Sequence, residues 1–137
     1  MNLLKLTRIT GEIKWAEMAD KIFKVFSNEI NKVPSGYTSM VTAFLFEYDH
    51  PKEIVVVGSG SDPATQVALT RMKSEYIPGK ILLFKDTDQL SPSLSPLAKW
   101  TATQEMIGDK VTFYVCQDFA CKIPTTDIKE ALIFIHE

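Results

Sequence analysis

The 137-residue sequence predicts an α/β fold in which a helical hairpin and a third helix precede a small three-stranded parallel sheet with flanking helices. Two observations carry the prediction. Up to residue 50, apolar residues recur every three or four positions, the period of an amphipathic helix. From residue 53 onward they condense into short β-branched runs separated by helix and turn signals. Composition agrees: 45% hydrophobic and 23% charged residues describe a folded domain, not a disordered chain or a disulfide scaffold.

The elements follow in order. Leu3, Leu4, Leu6 and Ile9 make a short first helix, which Thr10-Gly11-Glu12 interrupts. From Ile13 to Val33, Trp15, Met18, Ile22 and Val25 line one face, and Ala19, Phe23, Phe26, Ile30 and Val33 line its neighbour. A helix apolar over so wide an arc requires packing partners on two sides. Pro34-Ser35-Gly36 breaks the pattern; Tyr37, Met40, Val41, Phe44, Leu45 and Tyr48 restore it as a third helix, ending before His50-Pro51.

Ile54-Val55-Val56-Val57 is apolar at every residue, which suits a buried parallel strand, and it ends at Gly58. Asp62-Pro63 supplies an N-cap followed by proline at the first helical position, and Val67, Ala68, Leu69, Met72 and Tyr76 carry that helix toward Pro78-Gly79. Lys80 to Phe84 reads as the second strand and Val111 to Val115 as the third. Between them, residues 85–110 hold interruptions at Ser91-Pro92-Ser93 and Ser95-Pro96, so an irregular crossover with one short helix is expected. Thr126 or Asp127 caps a last helix, with Asp127 and Glu130 at capping-box spacing and Ile128, Ala131, Leu132 and Ile135 inward. Right-handed crossovers place the first strand in the middle of the sheet. Residues 1–50 form one unit on this reading, and residues 51–137 a small α/β subdomain.

Fifteen basic and seventeen acidic residues give a net charge of −2 with no long block of one sign, which disfavours nucleic acid and anionic membranes as partners. The longest strongly apolar run, Ala131 to Ile135, is far below the ~18 residues of a membrane span. Two cysteines and no charged-then-apolar leader point to a reducing, cytoplasmic setting.

Few residues carry chemistry. The Gly58-Ser59-Gly60 turn stands where a strand feeds a helix, a position at which backbone N–H groups can hold an anion. It lacks the third glycine of a dinucleotide fingerprint, Pro63 occupying that place, and the Gly-Lys-Ser/Thr of a P-loop. A plain turn capped by Asp62 is the favoured reading, with Gly58, Ser59 and Gly60 as ligand-binding candidates. Cys116 and Cys121 have the wrong spacing for a thioredoxin-like pair, and no histidine lies near them in sequence, so no metal site is expected. Apolar packing is the favoured role for both. A reversible pair remains open, because a short loop can bring the two Cα atoms within disulfide range, and Lys122 and the last helix could lower the Cys121 pKa. Asp86 and Asp88 read as a solvated loop pair, and Trp15 and Trp100 as core residues.

Four stretches carry a family resemblance: Leu6-Thr7-Arg8-Ile9-Thr10-Gly11-Glu12, Glu53 through Gly58, Tyr76-Ile77-Pro78-Gly79-Lys80-Ile81-Leu82-Leu83, and Tyr114-Val115-Cys116 through Cys121 to Asp127. Together they resemble the C-terminal portion of the YyaL-type, spermatogenesis-associated thioredoxin-domain proteins. The resemblance implies a longer parent with an N-terminal thioredoxin-like domain and an α/α toroid similar to sugar epimerases and six-hairpin glycosidases. Residues 1–50 would then be the toroid's last helices. The family's thioredoxin-like cysteines lie in that N-terminal domain, so Cys116 and Cys121 inherit no role from them. Asp118, Lys122 and Ile123 depart from the family's pattern.

The leading expectation is a non-catalytic structural or interaction module without a cofactor, partnered by upstream domains or by self-association through residues 1–50. One alternative is a thiol-redox or small-ligand site formed jointly by the Cys116–Cys121 loop and the Gly58–Gly60 turn, with the cysteines as weak catalytic candidates. A second is a part in carbohydrate handling by the parent.

Overall fold

The computed structural model describes residues 1–88, 94 and 96–137; of the predicted interruptions in the crossover, Ser91-Pro92-Ser93 and Ser95 lie outside that set. Helix α1 (Asn2–Thr10) stops at Gly11, which takes φ 73° and donates its N–H to Thr7 O at 2.8 Å. A Cβ at Gly11 would also come within 3.3 Å of the Trp100 ring, so the chain reversal and the close packing both call for glycine. Helix α2 (Ile13–Lys32) leads through a 3₁₀ turn at Pro34–Tyr37 into α3 (Thr38–Tyr48).

Strand β1 (Lys52–Gly58) is followed by α4 (Pro63–Ser74), whose Asp62 cap accepts from Ala64 N at 3.1 Å. The face of α4 that turns inward is Thr65, Ala68, Leu69 and Met72; Val67 and Tyr76 are exposed. Lys80 closes the carboxyl end of α4, donating to Met72 O at 2.6 Å and Lys73 O at 3.1 Å. Strand β2 (Ile81–Asp86) anchors the crossover through Lys85, whose ammonium donates to Thr101 O, Ala102 O and Gln104 O at 2.7–3.1 Å. The short helix expected in the crossover is a 3₁₀ turn at Lys99–Thr101. Strand β3 (Thr112–Gln117) and the two-residue β4 (Ala120–Cys121) form a hairpin, and α5 (Ile128–His136) closes the chain. Asp127 caps α5 through Lys129 N at 2.8 Å, while Glu130 takes its hydrogen bond from the Thr125 hydroxyl.

The sheet order is β2-β1-β3-β4, so β1 is central as predicted and the α/β class holds. The all-parallel, three-stranded arrangement does not. β1 and β2 are parallel, with Gly58 opposite Asp86, but β1 and β3 are antiparallel, with Val57 opposite Thr112 and Lys52 opposite Gln117. The crossover leaves β2 and enters β3 at the same end of the sheet, so β3 must run back. A strand apolar at every residue reports burial on both faces; burial is common in parallel sheets but does not set direction. β4 is too short to show any periodicity.

Alternation along β1 divides the interior into two cores. Ile54 and Val56 face Ala68, Leu69 and Met72 of α4 and Ala131 and Ile135 of α5, with Phe113 and Val115 alongside. Val55 and Val57 face Leu4, Ala19, Ala43 and Phe46 of the leading helices. On that second side the outer surface is open: Met18, Ile22, Val25 and Phe26 of α2 and Phe44, Leu45 and Tyr48 of α3 are exposed.

Candidate functional site

The Gly58–Gly60 turn is filled by the chain's own carboxylates. Asp86 Oδ1 accepts from Gly60 N at 2.8 Å, and Asp88 Oδ2 accepts from Ser61 N at 2.8 Å and from the Ser59 hydroxyl at 2.9 Å. The Ser61 N–H and the serine hydroxyls hold the Asp88 carboxyl below its ordinary range. Gly58 is a steric necessity, since a Cβ there would meet Thr65 Oγ1 at 2.6 Å; a Cβ on Gly60 would come within 2.7 Å of Asp86 Oδ2 and displace that carboxylate. The amides that could have held a phosphate are engaged, and Asp86 and Asp88, read as solvated, are what engage them.

Cys116 and Cys121 are joined in a disulfide and stand directly opposite each other on β3 and β4. They form a non-hydrogen-bonded pair, bracketed by Lys122 N donating to Val115 O, and their Cα atoms are 3.8 Å apart. Cys116 is buried and Cys121 is exposed. Lys122, expected near Cys121, points to the opposite face, where it pairs with Glu137 and lies 5.0 Å over the Phe134 ring. The bond closes a short loop in a hairpin already held by backbone pairing, so its chain-entropy contribution is about 2 kcal/mol.

The cysteine loop and the glycine turn do not meet. Cys116 is opposite Glu53, five residues back from Gly58 along β1, which puts the two loops at opposite ends of the strand, roughly 17 Å apart. Their predicted convergence required β3 to be parallel, and the antiparallel register removes it.

What the hairpin adjoins instead is a buried ionic cluster. Arg8 of α1, 5% exposed, donates from Nη1 to Glu53 Oε1 at 3.3 Å and from Nη2 to Glu47 Oε1 at 3.2 Å, and it also pairs with Asp118. Glu53 has no exposed surface and accepts from Phe119 N at 3.3 Å. Asp118 reaches on to His50 Nδ1 at 3.1 Å. Asp118 and Phe119 are the two central residues of the β3–β4 turn and both have positive φ, 50° and 64°. That is type I′ geometry, normally given to Asn-Gly, and a Phe there is strained. The Arg8–Asp118 pair, the Glu53 acceptor and edge packing of Phe119 on Trp100 at 5.4 Å hold it in place.

Burial pushes the Glu53 carboxyl up, against the opposing pull of the Phe119 N–H and Arg8. Burial works against the Arg8 charge, but its bond to Asp118 and the carboxylates of Glu47 and Glu53 outweigh it, so the guanidinium is held more firmly charged. The Arg8 bond draws the Asp118 carboxyl down.

Sequence reasoning did not single out this cluster. A signal was present in Glu53, a charged residue flush against a run of four apolar ones, and in Arg8 on the apolar side of a short helix. Trp100 behaves as predicted, half-buried with its indole N–H on Ile9 O at 3.0 Å. Among the described residues, no three His, Cys, Asp or Glu side chains gather as a metal site, and no helix is long and apolar enough to cross a membrane.

No family model matches the chain, and no solved structure matches it. Curated proteins do. The chain is 32% identical over 135 residues to spermatogenesis-associated protein 20 of Homo sapiens, 30% identical over 136 residues to that of Rattus norvegicus and 29% to that of Mus musculus. The matches cover 98–99% of this chain and 17% of each relative. All four stretches that carry the resemblance fall within a match of this extent, as do Arg8, Glu53 and both cysteines. Over nearly its whole length the chain is thus similar to a small part of spermatogenesis-associated protein 20, in line with the resemblance those stretches carry.

Proposed function

We propose that this chain acts as a non-catalytic C-terminal module of a longer protein, docking through α2 and α3 onto helices that precede it in the parent. The observation that carries this reading is the one-sided packing of the leading helices: their inner residues share a core with the sheet, and their outer apolar residues are uncovered. Phe23, Ile30, Met40, Val41 and Phe44 line a groove of about 300 Å³ between α2 and α3, a shape that takes side chains from another helix. An apolar strip of this kind marks an interaction surface. The share of the relatives that lies outside this chain supplies ample sequence to cover it. The resemblance suggests an α/α toroid in that region and a thioredoxin-like domain before it. The self-filled glycine turn supports a structural role at that end of the sheet.

Sedimentation and hydrophobic-dye binding test the reading. The chain alone should bind dye or self-associate, and a longer chain including the preceding parent helices should do neither. A strictly monomeric 137-residue chain without dye binding overturns it.

A further inference from the structure

We propose that Cys116–Cys121 is a thiol–disulfide exchange site, in which an external dithiol attacks the sulfur of Cys121, the exposed residue of the two, and the sulfur of the buried Cys116 is the leaving group. The two sulfurs are differently placed. Cys121 belongs to a two-residue edge strand and is exposed, whereas Cys116 is 1% exposed on the face packed by the leading helices. Only Cys121 belongs to an exposed residue, which gives attack on the pair a direction.

Gln104 supplies a second, independent observation. It is 5% exposed, its Nε2 lies 3.6 Å from Cys121 Sγ, and its Oε1 is buried without a hydrogen-bond partner. A disulfide sulfur has no proton to offer that oxygen. A Cys121 thiol does, so the amide has an S–H donor beside it only in the reduced state. On the other side, Cys116 is the register partner of Glu53, which places their Cβ atoms about 5 Å apart on one face of the sheet. Glu53 is bonded to Arg8, so the sulfur that leaves does so on the face of a carboxyl whose charge a guanidinium offsets.

The exchange balances as follows. One sulfur of the dithiol, as thiolate, attacks Cys121 Sγ. The Cys116–Cys121 bond breaks, its electron pair stays on Cys116 Sγ, and a mixed disulfide forms between Cys121 and the dithiol. The second dithiol sulfur then attacks the first within the dithiol, expelling Cys121 as a thiolate. The dithiol becomes a disulfide, the protein gains two electrons, and the two protons lost by the dithiol end on Cys116 and Cys121. Reduction leaves the β3–β4 hairpin held by its backbone pairing and by the Arg8 and Glu53 contacts to Asp118 and Phe119, so the fold persists in both states.

The test uses dithiothreitol as the dithiol, with alkylation and mass measurement under native conditions. The expected result is two thiols released without unfolding, as followed by circular dichroism. In the Cys116→Ser variant, Cys121 should form a mixed disulfide with oxidised glutathione about tenfold faster than Cys116 does in the Cys121→Ser variant. Glu53→Gln should shift the pH profile of reduction in the folded state, a readout that a merely structural carboxyl would leave unmoved. Resistance to dithiothreitol until denaturant is added, two free thiols that no oxidant joins, or equal labelling in the two serine variants would each overturn the proposal.

Discussion

On the face covered by α4 and α5, the buried residues that β1 and β3 contribute are all apolar: Ile54, Val56, Phe113 and Val115 are at most 3% exposed. On the face covered by α1–α3, the same strand contributes Val55 and Val57 but also Glu53, and the covering helices carry a second apolar surface that faces outward. The first face is a finished core. The second combines a buried ion pair, a disulfide and an unfinished exterior. Packing density drives stability on one side, whereas on the other it is shared with electrostatics and with whatever covers α2 and α3. A single sheet therefore serves as the boundary between a half closed by its own helices and a half whose helices leave an apolar surface exposed.

The strongest way to break this contrast is to hollow out the finished face. Phe113→Ala should cost about 3–5 kcal/mol, a large fraction of a domain's ~5–15 kcal/mol, read as a lower urea midpoint at unchanged slope. Next comes the ion pair. Arg8→Met strands Glu53 as an uncompensated buried charge and should cost about 3–5 kcal/mol, whereas adding Glu53→Leu to it should recover much of the loss. A double-mutant cycle decides the point, and simple additivity would show that the pair is not coupled.

Smaller effects probe the ends of elements. Asp62→Ala and Asp127→Ala each remove a side-chain cap and should lower stability by ~1 kcal/mol in thermal melts. The pH dependence follows from two carboxyls shifted in opposite directions. Asp118 is drawn below its ordinary 3.8, so its contribution is present above that value and is lost as pH falls through the folded-state value. Glu53 is raised above 4.5, so stability falls as pH climbs from there through its folded-state value. Asp118→Asn should flatten the acid limb alone, which stability measured between pH 2 and 7 will reveal. Asp118 is half exposed, so its share is modest. Smallest of all, Val25→Ala on the open face should change stability by less than about 0.5 kcal/mol while reducing dye binding.

Much of the architecture was readable because the relevant signals are local. The Asp62 and Asp127 caps, the Gly11 break and the inward set of α5 depend on neighbours within a turn or two of chain. The candidate site was only partly readable. Both cysteines and the glycine turn were named, and a Cys116–Cys121 pair was left open, but the distant groups were missed: Asp86 and Asp88 lie 26–29 residues from the turn they fill, and Arg8 lies 110 residues from Asp118. Spacing arguments have no reach across such distances. Strand direction failed for a related reason, since burial on both faces is compatible with either hand of pairing.

From its residues alone the chain had its class, its element order, its helix caps and its kinship determined, because periodicity, capping and family words are written within short stretches. Tertiary structure alone decided that β3 runs antiparallel, that the cysteine loop and the glycine turn sit at opposite ends of β1, and that Cys116 and Cys121 are cross-strand partners. It also decided that a buried Arg8–Glu53 pair braces a strained turn, and that one side of α2 is left uncovered. The physical reason is common to all of these: they are set by which distant segments the sheet brings into register, and register is a property of pairs of strands.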